Sequence, residues 1–296
     1  MIVVTGGTGF VGQHLVALLH QRGEAVTVLA RGQRPVSLPP GVRFVQGDVA
    51  TGAGLDEALA GAEAVIHLVA IIRERGPWTF ERVNVGGTRH VLQAAAALGV
   101  RRLVHMSALG ARNDPRFRYL FSKWRGEELV RASGLDWTIF RPSVIFGHGS
   151  GFLSRVKQSL RMVPFLAPIP GSGRTRFQPI WVGDVAECVY RSLRAPAAFG
   201  QTYEIGGPEY LTYEEIVDLV LQTMGWRRLK VHLPLWLLRP GAAVLQRLLP
   251  DPPVTTDELA ALALDNITAL DSVVRLCQCV PRSLRTEIAT LGATDP

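Results

Sequence analysis

The sequence predicts an α/β fold, a doubly wound parallel sheet of Rossmann type with a smaller C-terminal lobe, and three observations carry that expectation. Short β-branched runs alternate with longer amphipathic stretches through the first half of the chain. The runs are continuously apolar rather than alternating, as strands covered on both faces must be. A glycine-rich turn lies between the first run and the first amphipathic stretch.

Strands are expected at residues 2–5, 25–30, 42–46, 64–69, 102–107 and 137–141. Residues 12–22 place Leu15, Val16, Leu18 and Leu19 on a helical stripe that Gly23 stops. Strand–helix–strand units of this kind close right-handed onto a parallel sheet. Residues 1–150 read as the dinucleotide-binding domain and 151–296 as a smaller substrate lobe, with about 176–206 returning to the sheet. Beyond residue 148 turn formers dominate, and one strand (202–205) and one helix (213–224) stand out. Thr212 caps that helix, with Glu215 three residues on. Residues 233–250 are very apolar but are broken by Pro234, Pro240 and Pro250 and carry Arg239 and Arg247. A membrane span needs roughly twenty uninterrupted apolar residues. A buried helix pair of the smaller lobe is therefore expected, with an interfacial segment as the alternative.

At 296 residues, with 47% hydrophobic and 19% charged, the chain can bury a large core and is not of the disordered class. The net charge of +7 is carried almost wholly by arginine, with lysine only at Lys123, Lys157 and Lys230. Such a balance fits nucleic acid, an anionic membrane surface or a phosphorylated ligand. The arginines are scattered and form no aromatic-interleaved stripe, which argues against nucleic acid. Cys188, Cys277 and Cys279 suggest no disulfide framework, and Cys277 with Cys279 lacks the second ligand pair of a metal site. The apolar run from Ile2 leads straight into the glycine turn, leaving no room for a secretory leader. A cytoplasmic protein is expected, with peripheral association with a membrane or membrane complex as the alternative.

The turn itself is Gly6-Gly7-Thr8-Gly9-Phe10-Val11-Gly12, entered from Thr5. Glycines at this spacing let backbone N–H groups approach a pyrophosphate, whose charge the following helix N-terminus stabilises. An NAD-type site of this architecture places an acid at the end of the second strand. Here that position is Arg31, with Arg34 close behind. A guanidinium suits a 2′-phosphate, so NADP(H) is favoured over NAD(H), the alternative being a solvated surface arginine. Tyr119 and Lys123 lie one helical turn apart, where a cation should lower the phenol towards neutrality and make it a general acid or base. Ser107 ends the preceding strand, where its hydroxyl could orient a substrate oxygen.

These motifs, together with Gly47-Asp48-Val49, His67-Leu68-Val69-Ala70, Val83-Asn84-Val85-Gly86-Gly87-Thr88 and Arg141-Pro142-Ser143-Val144, resemble the short-chain dehydrogenase/reductase superfamily in its extended, epimerase/dehydratase-like form. The Ser107-Ala108-Leu109-Gly110-Ala111 run and the Asp265-Asn266 region are more narrowly similar to the branch of the Rossmann-like accessory subunit of respiratory complex I. The resemblance implies that Asp48 accepts from the adenine amino group with Val49 packed beside it, that Ala70 lies near the ribose, and that Leu68 and Val69 also bind the cofactor. It further implies that Lys123 holds the nicotinamide ribose, that Pro142 and the backbone of Ser143 and Val144 lie against the nicotinamide amide, and that Asn84 organises the proton network. His67, ending a buried strand, reads equally well as packing or as contact.

The expected function is NADP(H)-dependent hydride transfer on a small, rather apolar carbonyl or alcohol, with Ser107, Tyr119, Lys123 and Asn84 as the catalytic set and no metal. Two alternatives stand beside it. One is a cofactor-binding assembly protein of a membrane complex. The other is a sugar-nucleotide epimerase or dehydratase, for which the second lobe offers no recognisable nucleotide-sugar contacts.

Overall fold

Continuously apolar strands can only be satisfied in the middle of a layered structure, and that is where they lie. The computed structural model describes residues 1–32, 38–249, 252 and 254–292. It divides into two compact units, one formed by Met1–Pro142 with Val182–Glu204 and the other by Ser143–Trp181 with Ile205–Pro296.

In the first unit the strands are β1 (Ile2–Thr5), β2 (Val26–Ala30), β3 (Arg43–Gln46), β4 (Ala64–His67), β5 (Arg102–Met106), β6 (Asp136–Pro142) and β7 (Gln201–Ile205). They form one sheet in the order β7-β6-β5-β4-β1-β2-β3. The five pairings from β3 through to β6 are parallel. The chain thus starts in the middle, winds outward to β3, then crosses back to β4, so the topological switch falls between β1 and β4. Ligands of open α/β sheets bind at the carboxyl ends of the strands at this point. Helices α1 (Phe10–Gln21) and α5 (Val182–Ser192) pack together, and α2 (Leu55–Leu59), α3 (Gly87–Ala97) and α4 (Arg118–Arg131) form a second packed set. The core between sheet and helices is aliphatic, with Val3, Leu29, Val65, Val91, Leu103 and Ile139 fully or almost fully buried.

Buried Arg102 ties the far edge together. Its guanidinium donates to the carbonyls of Leu103, Asp136, Ser192 and Leu193 and to the Thr138 hydroxyl. Those acceptors are all neutral, and burial lowers the group to about 10.

The second unit is built around short strands and three longer helices: Gly151–Met162, Tyr213–Thr223 and Leu235–Leu248. The capping box read from Thr212 and Glu215 is present in full. Residues 233–250 correct the expectation made of them. They contain one helix rather than a buried pair, and it runs through Pro240. Among its described residues only Ala242 is buried, while Trp236 is 74% exposed and Val244 55%. A proline costs a helix one donor without ending it, and apolar composition alone does not tell a covered helix from an uncovered one. Cys188 and Cys277 are each disulfide-bonded, against the expectation from the sequence. Among the described residues, no helix is long and apolar enough to cross a membrane.

Candidate dinucleotide site and catalytic helix

The turn after β1 is possible only with glycine at two positions. Gly6 has φ +77°, a left-handed conformation that strains any side chain. A Cβ on Gly12 would meet the Gly6 carbonyl oxygen at 2.2 Å, so α1 approaches the turn only because that atom is missing. Gly9 caps α1, no side chain bonds its first turn, and that turn carries no acid. Its backbone N–H groups and the helix dipole therefore suit an anion, and the residues fit a pyrophosphate.

The neighbouring strand ends flank the turn. Leu68 N–H donates to the Thr5 carbonyl at 3.1 Å as the chain leaves β4. Val69 then packs against Gly6, where an added Cβ would lie 3.1 Å from its Cγ2. Asp48 is held by its own loop, with Oδ1 accepting from Ala50 N–H at 2.9 Å. Val49 is buried against Gly87, and His90 Nδ1 donates to its carbonyl at 2.8 Å. Arg31 follows β2 and is exposed, its guanidinium 4.6 Å from the centroid of Trp78. Arg34 lies outside the described residues.

From the end of β1 runs a buried hydrogen-bond chain whose proton order is fixed. The Thr88 hydroxyl donates its proton to the Asn84 carbonyl at 2.7 Å. Its oxygen must then accept from His67 Nε2, 3.2 Å away, which leaves Nδ1 to accept from Thr5 Oγ1 at 2.7 Å. Burial, reinforced by the Lys123 charge, lowers the imidazole to about 3, so the ring is neutral and this order holds. Asn84 stands in the π-helical turn Glu81–Gly86. It exchanges bonds of 2.8 and 3.0 Å with the backbone of Ile71 and donates to Ser122 Oγ at 2.9 Å. Ser122 passes its proton to the Tyr119 carbonyl at 2.7 Å. His67 is thus a link between β1 and α3, and Asn84 anchors both the loop after β4 and the start of α4.

Tyr119 and Lys123 do lie one turn apart on α4, but their electrostatics differ from expectation. Lys123 is buried and donates from Nζ to the Met106 carbonyl at 2.6 Å. Burial lowers its ammonium to about 8, against the pull of Glu127. Burial also pushes the Tyr119 phenol up to about 12 instead of down. The cation is committed to a carbonyl, and desolvation of the phenolate decides the outcome. At neutral pH the phenol keeps its proton. Phe80 lies 6.0 Å from its ring between centroids, and further along α4 Phe121 stacks on Trp124 at 5.8 Å.

Ser107 requires a second correction. It stands just beyond the end of β5 as expected, but its hydroxyl donates to Glu127 Oε1 at 2.5 Å. That single proton is therefore not available to a substrate oxygen. Glu127 is wholly buried and also accepts from Arg141 at 2.8 and 2.7 Å and from Arg131 at 2.7 Å. Burial alone would raise its carboxyl, but the bonds from Arg141 and Ser107 outweigh it and hold the group below the usual carboxylate range. The signal for this pair in the sequence is an acid one turn past Lys123 and an arginine inside an apolar strand.

Within the second unit, Ser143 N–H donates to the Ile205 carbonyl at 2.9 Å, and Val144 N–H to Asn266 Oδ1 at 3.1 Å. Ser143 Oγ also donates to that oxygen at 2.6 Å. The backbone N–H groups of Ser143 and Val144 are thus both used inside their own unit. Asp265 beside Asn266 binds the backbone and guanidinium of Arg176 at 2.5–2.9 Å. Among the described residues, no group of His, Cys, Asp and Glu could hold a metal ion.

The fold and the glycine turn define a dinucleotide-binding α/β protein. Residues 2–206 match the NAD dependent epimerase/dehydratase family, and the chain belongs to that family of NAD(P)-dependent oxidoreductases and epimerases. A ceramide reductase of Caulobacter vibrioides is 33% identical over 237 residues, 79% of this chain and 74% of that protein. The mitochondrial NADH dehydrogenase [ubiquinone] 1 alpha subcomplex subunit 9 of Arabidopsis thaliana is 30% identical over 284 residues, 90% of this chain and 68% of that one. Among solved structures, gox2253 superposes with a TM-score of 0.77 at 25% identity, covering 99% of this chain and 97% of the other.

Proposed function

We propose that this protein is an NADP(H)-dependent reductase of a small, rather apolar carbonyl compound. One observation carries the reading: a half-buried, protonated phenol one turn from a buried ammonium, on a helix of the dinucleotide-binding unit. When bound, the nicotinamide supplies the hydride. Tyr119, neutral at pH 7, donates a proton to the substrate oxygen as it becomes an alkoxide. Lys123 stays mostly cationic at that pH and favours the negative charge that then forms on the phenol. Asn84 and Ser122 hold the first turn of α4 in place. Arg31, in the position of an acid, supports NADP(H) over NAD(H). The Phe80 ring beside Tyr119 and the name of the ceramide reductase relative support an apolar substrate.

The test is consumption of NADPH by the purified chain against a panel of ketones of increasing alkyl length. Turnover should rise with chain length, and Tyr119→Phe should lower kcat by about 10²–10⁴-fold with NADPH affinity kept. Equal turnover in the variant would refute the role given to the phenol.

A second reading has its own observation. The helix Leu235–Leu248 exposes Trp236, Leu237 and Val244 and carries Arg239 and Arg247, a pattern that suits docking at a membrane or membrane complex. Similarity to a subunit of NADH dehydrogenase supports it. Tight NADPH binding with no turnover, together with retention by anionic vesicles, would favour this reading over the first.

A further inference from the structure

Most arginines of the first unit are neutralised. Arg22 pairs with Glu187, Arg43 with Glu57, Arg118 with Glu74, Arg125 with Glu81, and Arg131 and Arg141 share Glu127. Among the described residues, Arg31 and Arg82 have no carboxylate partner. Both instead lie over one indole, that of Trp78, at 4.6 and 5.3 Å from its centroid.

This platform is built, not accidental. Arg75 and Trp78 exchange both backbone hydrogen bonds at 3.0 Å across Gly76 and Pro77, a tight turn that presents the indole. Gly76 has φ +51°, as such a turn requires. Phe80 N–H then donates to Glu74 Oε1 at 2.8 Å, and Arg82 N–H to Thr79 Oγ1 at 3.1 Å, which starts the helical turn carrying Arg82. Contact with an aromatic face uses none of a guanidinium's N–H donors, so both cations keep theirs for another ligand. Two like charges beside one ring at the end of β2, neither paired with a carboxylate, favour a ligand of high negative charge density.

We propose that Trp78 and Arg82 complete, with Arg31, a clamp for the ribose 2′-phosphate of NADP(H). This deepens the cofactor reading above and rests on it. Arg31 and Arg82 donate to the phosphate oxygens from the two elements that carry them, β2 and the turn before α3. Trp78 holds both guanidiniums in place beforehand, so less freedom is lost when the dianion arrives.

The experiment is titration of the full-length chain with NADPH, NADH, 2′-AMP and 5′-AMP. The wild type should prefer NADPH to NADH, and 2′-AMP to 5′-AMP. Arg82→Gln should weaken NADPH about tenfold and leave NADH within about twofold, and Arg82→Lys should recover part of the loss. Trp78→Leu should act in the same direction, more weakly. If the wild type prefers NADPH but the variants lose both cofactors equally, or neither, the clamp is wrong and the NADP(H) reading stands. If the wild type binds NADH as tightly as NADPH, both are wrong.

Discussion

The two compact units bury polar side chains in different ways. In the first, Thr5, His67, Thr88, Asn84 and Ser122 form one chain with a single proton order, and Ser107, Glu127 and Arg141 form another. Both converge on α4. In the second, polar burial is local, with Ser143 and Val144 fastened to Asn266, while Phe165, Leu229, Trp236 and Val280 are left well exposed. The difference separates a site held in place from within from a surface free for association.

The largest effect expected from this contrast is at Glu127. Its replacement by leucine leaves Arg141 and Arg131 facing a buried space without their acceptor. Both arginines reach solvent, so the cost should fall near the lower end of the range for broken buried pairs, about 3 kcal/mol in urea unfolding. A loss below about 1 kcal/mol would mean that α4 is held by packing alone.

Next is acid lability. His67 titrates at about 3 in the folded chain against an ordinary 6.5, so the unfolded chain takes up the proton first as pH falls. Stability is therefore lost between those values, by roughly 2 kcal/mol on going from neutral pH to about pH 5. His105, equally buried and with neither ring nitrogen bonded, is pushed down in the same sense. Urea midpoints across that window should fall, and His67→Asn should flatten the slope. Lys123, at about 8 folded against 10.5, makes stability rise with pH between those values.

The smallest effect belongs to the second unit. Trp236→Ser should change stability by no more than about 0.5 kcal/mol, since the indole is 74% exposed. A loss of about 2 kcal/mol or more would show that the helix Leu235–Leu248 belongs to a covered core.

The same contrast explains what could be read in the sequence. Strands β1, β2, β4 and β5 were legible because a sheet covered on both faces selects continuous apolar runs. The Thr212–Glu215 capping box was legible because it is local. Ile145–Phe146 pairs with Ile180–Trp181 over two residues only, and no period can announce a strand that short. The spacing of Tyr119 and Lys123 showed that they share a face, but not the exclusion of water that raises the phenol. Arg31 and Arg82 meet through Trp78, and nothing in a linear pattern brings those positions together.

Hydride transfer itself can be followed with NADPH deuterated at its transferable position and a long-chain ketone. The wild-type chain is predicted to give an alcohol labelled at the carbinol carbon, and Tyr119→Phe to bind NADPH normally yet yield almost none. Tight NADPH binding by the wild type with the label retained in the cofactor, across the whole ketone panel, would contradict a reductase.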